Sequence, residues 1–291
     1  MAQRVEFSSD GVRCIGYLRS AGAQPAPCVV LCTGFGGTQD TPALTATAAD
    51  FAAAGYHAFT FDYRSFGESD GEPRQVVSIE GQLADIAAAV ERAHTLPNVD
   101  PARIVLWGTS LGGGHVVVAA ARDHRVAAVI AQIPFNGFPR RVQGRSAWST
   151  LRLLAVMAED AGRARLRWPP RYIPAVGATG ELAVMTGPDV QNAIAGMDSA
   201  TWRNQVAPRG LIEMMRYRPG DVAHLVTCPV LVCIGTEDAE AMPENAAELA
   251  HRAPRGELRE YPAGHFDFYS DDLRRTVCAD QAAFLRRVSG G

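Results

Sequence analysis

Gly108-Thr109-Ser110-Leu111-Gly112 follows the apolar run Ile104-Val105-Leu106-Trp107 and precedes Gly113-Gly114-His115-Val116-Val117-Val118-Ala119-Ala120. An apolar strand, a tight turn and a helix, in that order, form the context that a G-x-S-x-G nucleophile elbow requires. Glycines on either side let the backbone turn sharply with little side-chain crowding. Such a turn lifts the Ser110 hydroxyl above a sheet at a helix N-terminus. The amide after the serine, that of Leu111, can then meet a developing negative charge.

Serine is a weak nucleophile at its own pKa and needs an adjacent base. In an elbow of this type the chain order is serine, then acid, then histidine. His265, in Pro262-Ala263-Gly264-His265-Phe266, follows the last apolar strand and is expected at the sheet edge that carries the elbow. His115 lies on the helix after Ser110 and is expected to pack in the core. His57 starts a strand at the opposite end, and His94, His124, His224 and His251 have no evident acid partner. Asp238, just past Val230-Leu231-Val232-Cys233-Ile234-Gly235, is the expected acid, with Glu237 and Glu240 as rivals. Its role would be to orient the imidazole and stabilise its charged form. An oxyanion hole needs two preorganised donors. Leu111 supplies one, and Phe35, in the loop Thr33-Gly34-Phe35-Gly36-Gly37-Thr38, is the expected second. That loop is only loosely like G-x-G-x-x-G, and no acidic residue follows a second strand suitably, so a dinucleotide fold is a poor reading.

Working outward, Val5 to Leu18 reads as a hairpin around Asp10-Gly11, and Cys28 to Cys32 as a buried strand. Helix is expected from about Pro42 to Ala54, strand from His57 to Tyr63, helix from about Ser78 to His94, and strand from Val126 to Ile133. Pro229 to Ile234 and Leu258 to Tyr261 are further strands, each followed by helix. Apolar strands alternating with helices predict a mainly parallel sheet covered on both faces. The alternation breaks between about Asn136 and Leu225. The expected division is therefore a core of residues 1–135 and 226–291, with residues 136–225 inserted as a lid.

Length and composition narrow the function. The chain has 291 residues, is 47% hydrophobic and carries a formal net charge of -3. This suits one α/β domain with an insertion and gives no electrostatic case for nucleic acid. No apolar run approaches the roughly 18 residues of a membrane span, so no membrane partner is expected. The N-terminal residues lack the apolar centre of a signal peptide, and a cytoplasmic location is expected. Six cysteines at 14, 28, 32, 228, 233 and 278 form no C-x-x-C and read as buried free thiols. The chain holds no lysine; all 28 basic residues are arginine. Schiff-base chemistry, a Ser-Lys dyad and a Walker-type phosphate loop are thereby excluded. Neither a metal nor another cofactor is expected.

The motifs Gly34-Phe35-Gly36-Gly37, Phe61-Asp62-Tyr63-Arg64-Ser65-Phe66-Gly67-Glu68-Ser69, Gly108-Thr109-Ser110-Leu111-Gly112, Gly235-Thr236-Glu237-Asp238 and Gly264-His265-Phe266-Asp267 together resemble the α/β-hydrolase superfamily over nearly the whole chain. Within it, the chain is most similar to the bacterial branch around dienelactone hydrolases, acetyl-xylan esterases and X-Pro dipeptidyl peptidases. The resemblance implies an eight-stranded sheet whose second strand is antiparallel, and a triad matching Ser110, Asp238 and His265. Thr33 stands where many relatives carry a histidine before the oxyanion glycine. The superfamily hosts many chemistries, so the fold does not fix the substrate.

Five of the seven methionines lie in the insertion, at 157, 185, 197, 214 and 215, with Trp148, Trp168 and Trp202. These side chains either wall a plastic apolar pocket or form the insertion's own core. The pocket residues expected are Trp148, Met157, Met185 and Trp202. Arg140, Arg141, Arg145, Arg152, Arg163, Arg165, Arg167 and Arg171 read as a solvated helix face, or else as a clamp for a substrate carboxylate or phosphate. The expected activity is hydrolysis of a small apolar carboxylic ester through an acyl-enzyme on Ser110. Alternatives with the same triad are thioesterase, lactonase and amidase or peptidase; C–C bond hydrolysis and a non-catalytic binding protein stand further off. Partners are a small-molecule ester and, as an open arrangement, a second copy of the chain.

Overall fold

A computed structural model describes residues 2–138, 147–186 and 190–289. The chain opens as the hairpin β1 (Gln3–Ser9) and β2 (Val12–Arg19). Asp10 and Gly11 both take positive φ, 49° and 82°, as a two-residue turn matched to strand twist needs. There follow β3 (Ala26–Cys32), α1 (Pro42–Ala53), β4 (His57–Phe61), α2 (Ile79–His94), β5 (Val99–Thr109), α3 (Leu111–Arg122) and β6 (Ala128–Gln132). Next come α4 (Ala147–Arg165), the two-residue strands β7 (Val176–Gly177) and β8 (Met185–Thr186), α5 (Val190–Met197) and α6 (Gly210–Met214). The chain then completes the sheet with β9 (Val230–Gly235), α7 (Pro243–Arg252), β10 (Gly256–Tyr261) and α8 (Asp271–Ser289).

The main sheet has eight strands in the order β1-β2-β4-β3-β5-β6-β9-β10. β2 runs antiparallel to both neighbours, and the remaining pairs are parallel. This is the α/β-hydrolase sheet that the motifs imply, flanked by helices. All residues of β4, β6 and β9 are buried, as strands covered on both faces must be. Alternation along β3 divides its side chains between two cores. Cys28, Val30 and Cys32 pack with Leu83, Ile86 and Val90 of α2 and Val116 and Val117 of α3. Val29 and Leu31 pack with Phe51 of α1 and Phe284 and Leu285 of α8. All six cysteines are buried and free.

Helix starts obey local chemistry. Ser78 caps α2 by accepting from Gly81 N at 3.3 Å, and Pro42 and Pro243 open α1 and α7 without losing a hydrogen bond. Arg64 bridges Asp10 and the fully buried Asp85, so it braces the loop after β4 to α2. Among the described residues, 136–225 add no strand to the main sheet. Their fixed point is Asp160 on α4, which accepts from Arg171 N and from the backbone and guanidinium of Arg209. That buried pair ties α4 to α6. Breaking it would strand a charge, at a cost of about 3–5 kcal/mol.

Candidate active site

Ser110 directly follows β5, with φ 55° and ψ -120°, and is the N-cap of α3. A non-glycine residue held there costs about 1–3 kcal/mol, which the surroundings must impose. They do so through backbone bonds: Ser110 N donates to Gln132 O at 3.0 Å, and Ser110 O accepts from Gly114 N and Phe135 N. Glycine is required on both sides. A Cβ on Gly108 would sit 2.2 Å from Gly112 O, and one on Gly112 2.3 Å from Thr33 O. Beneath the elbow runs a buried polar string. Trp107 Nε1 donates to Gln281 Oε1, Gln281 Nε2 donates to Gln132 Oε1, and Gln132 Nε2 donates to Thr109 Oγ1.

The loops after β9 and β10 deliver the other two groups. A Cβ at Gly235 would lie 2.3 Å from Ala263 O, so glycine lets these loops touch. His265 Nδ1 then lies 2.7 Å from Asp238 Oδ2, and His265 Nε2 lies 3.1 Å from Ser110 Oγ. With Asp238 ionised, Nδ1–H donates to it and leaves the Nε2 lone pair facing the serine hydroxyl. Asp238 Oδ1 accepts from the N–H groups of Glu240 and Ala241, both at 2.8 Å, which fixes the carboxylate plane. Glu237 is exposed and Glu240 half-buried; Asp238 is the carboxylate hydrogen-bonded to the imidazole. Burial draws the His265 pKa down, but the Asp238 charge and hydrogen bond, with Glu240 adding its field, outweigh it and leave the imidazole above its ordinary value.

The glycine-rich loop after β3 lies against the nucleophile: a Cβ on Gly34 would be 3.1 Å from Ser110 Cβ. Thr33, in the place of the expected histidine, donates to Gly37 O, and Gly37 N donates to Gly34 O. Asp62 Oδ1 accepts from Gln39 N, and burial pushes that carboxyl up to about 7 against its two backbone donors, Gln39 and Glu68. Asp40 joins the loop to the insertion, accepting from Thr38 Oγ1, Ser199 Oγ, Thr201 Oγ1 and Thr201 N. Phe35 belongs to this loop and borders the cleft. Leu111 is the first residue of α3, where a backbone N–H has no intrahelical acceptor and the helix dipole is positive.

A cleft opens over Ser110. Its apolar wall includes Leu44 of α1, Met185, Met197 of α5, Phe266 and Tyr269. Of the four insertion residues expected there, Met185 lines it. Trp148 is 67% exposed on the outer face of α4, Met157 points from α4 into the core, and Trp202 is buried with an unpartnered indole N–H. Met197 is one of the five methionines read as pocket wall or core, whereas nothing in the sequence marks Leu44 and Phe266 as wall residues. Tyr269 had a usable signal, four residues past His265 in the same turn. Arg152, Arg163, Arg165, Arg167 and Arg171 are absent from the lining, while Arg140, Arg141 and Arg145 lie outside the described residues. His115 is wholly buried between Gln82 and Tyr217, and burial pushes it down to about 3. Among the described residues, no group of three His, Cys, Asp or Glu could hold a metal, and no helix is long and apolar enough to cross a membrane.

The cleft predicts its own specificity test. Met197→Ala and Leu44→Ala should reorder a series of acyl esters by about tenfold to a few hundredfold. Trp148→Ala should leave that order intact. Rates on acetyl, butyryl and octanoyl p-nitrophenyl esters check this directly.

The sheet order, the strained serine at a strand–helix turn and the hydrogen-bonded Ser-His-Asp chain define an α/β-hydrolase of the serine hydrolase class. Residues 23–271 match the family model described as "Serine aminopeptidase, S33", and the chain belongs to that family. It is similar to "Quorum-quenching protein AidA" of Acinetobacter baumannii (strain MDR-ZJ06), 37% identical over 98% of this chain and 94% of the relative. It is also similar to "Polyketide transferase ATR5" of Stachybotrys chlorohalonatus (strain IBT 40285), 29% identical over 98% and 96%. Among solved structures, alpha/beta hydrolase GrgF from Penicillium sp. sh18 superposes with a TM-score of 0.84 at 24% identity, covering 100% of both chains.

Proposed function

We propose that the protein hydrolyses carboxylic esters of small, uncharged, largely apolar acyl groups through an acyl-enzyme on Ser110. The observation that carries this reading is the 3.1 Å and 2.7 Å hydrogen-bond chain from Ser110 through His265 to Asp238, opening on that cleft. Ser110 Oγ attacks the carbonyl carbon while His265 Nε2 takes its proton. The N–H groups of Phe35 and Leu111 receive the oxyanion, and His265 returns the proton to the departing alcohol. Water, deprotonated by the same imidazole, then releases the acid. Asp238 keeps the tautomer and stabilises the imidazolium. In this reading residues 1–135 and 226–291 supply the chemistry, and residues 136–225 form a lid whose Met185, Gly196 and Met197 shape the acyl site.

The cleft supports an ester over a peptide with a free amino terminus. Among the described lining residues there is no carboxylate to hold an α-ammonium. A second reading is acyl transfer, which the name of the 29% identical polyketide transferase favours: an alcohol would replace water at the acyl-enzyme.

The test is a matched panel of ester, thioester, lactone and anilide carrying one butyryl-sized acyl group, with and without added alcohol. The expected result is fastest turnover of the ester. Preference for an α-amino anilide would overturn the proposal, and product dominated by the new ester would favour transfer. The pH profile follows from His265. Below its raised pKa the imidazole is protonated and cannot act as base. kcat/KM should therefore climb with pH and level off at an apparent pKa above the usual imidazole value of about 6.5.

A further inference from the structure

The outer face of α4 repeats at heptad spacing: Trp148, Leu151, Ala155, Ala158 and Gly162. The sequence of an isolated surface helix would place polar residues there. Instead Trp148 is 67% and Leu151 57% exposed, Ala155 and Ala158 are exposed, and nothing lies within 4 Å of a Cβ added at Gly162. The opposite face is already used, through Val156, Met157 and Asp160.

We propose that this face is a homodimer interface, in which α4 packs antiparallel against α4 of a second copy across a two-fold axis at Ala155. The stripe is self-complementary in size about that residue. Trp148 stands seven positions before Ala155 and Gly162 seven after it, so each Trp148 faces the partner's open Gly162. Leu151 likewise faces the partner's Ala158. Alanine and glycine on the seam let helix axes come within about 8 Å. The charges agree as well. Arg152 and Glu159 flank the stripe on the same side, and a two-fold perpendicular to the helices brings each Arg152 opposite the partner's Glu159. Arg152 has no ion-pair partner among the described residues, and the Glu159 pair with Arg171 is exposed on both sides. On the other flank Leu154, 43% exposed, meets its own copy. Leu166 and Trp168, just past α4 and 60% and 57% exposed, extend the apolar area towards the roughly 800 Å² per partner of a stable dimer. A flat lipid surface would not select a large-against-small pattern or a glutamate beside the stripe.

The experiment is light scattering on the full chain, with Ala155→Cys cross-linking under mild oxidation. The wild type should be a dimer, and Ala155→Cys should form a covalent dimer, with little background because the six native cysteines are buried. Ala155→Arg should be monomeric while keeping its circular dichroism melt and its rate on a small ester. Arg152→Glu and Glu159→Arg should each weaken the dimer about tenfold or more, and the double exchange should restore it. A monomeric wild type at ~100 µM, an Ala155→Cys chain that does not cross-link within a dimer, or wild-type co-sedimentation with anionic vesicles as a monomer would each overturn the proposal.

Discussion

Replacing Ser110 by alanine should lower kcat on an activated ester by roughly four to six orders of magnitude, because nucleophile, base and acid act as one unit. The fold should survive. The side chain makes one described contact that matters for packing, the 3.1 Å approach to His265 Nε2, and its backbone is held by Gln132, Gly114 and Phe135 independently of the hydroxyl. The positive φ remains, so alanine inherits the same strain rather than relieving it. Melting temperature should therefore stay within a few degrees while turnover falls to the background that the oxyanion donors alone support. Parallel thermal melts and initial rates check both halves; a large drop in melting temperature would mean that the lost rate reported misfolding.

Asp238→Asn should cost about four orders of magnitude in kcat. An amide that donates to Nδ1 would force the proton onto Nε2 and turn the lone pair away from Ser110. Part of the Oδ1 role, accepting from Glu240 and Ala241, can be kept by the amide oxygen, so the loop should hold its shape. The variant also carries a signature in pH. Asp238 is what raises the His265 pKa against burial, so without its charge burial prevails. The acid limb of the residual activity should move to lower pH than in the parent. A nearly active Asp238→Asn beside an inactive Glu237→Gln or Glu240→Gln would assign the acid elsewhere.

The sheet and elbow were legible in the sequence because they rest on local signals: unbroken apolar strands, turn glycines and the helix that follows Ser110. Even the antiparallel second strand came with the motif resemblance. The identity of the carboxylate beside His265 was less so, because three acidic residues share one loop. Their separation depends on Gly235 meeting the Ala263 carbonyl, a contact 28 residues apart in sequence. The cleft wall was the least legible part. Apolar residues of the insertion looked equivalent in sequence, yet Met157 and Trp202 joined the core continuous with α2 and α3 while Trp148 faced outward. Helical periodicity tells which residues share a face, not which face meets the sheet. On α4 the buried side is set by Asp160 and its bonds to Arg209 and Arg171, partners 49 and 11 residues away. The wall residues Leu44 and Met197 come from separate elements that Asp40 holds together, a tie that no local pattern announces.

Covalent capture of the nucleophile tests the central claim most directly. The protein should be treated with a fluorophosphonate, and its intact mass and peptide map compared with those of the Ser110→Ala chain. A single adduct on Ser110, rising in step with loss of esterase activity and missing from Ser110→Ala, is the predicted result. An adduct on another serine, or full activity in protein that carries the label at Ser110, would contradict it.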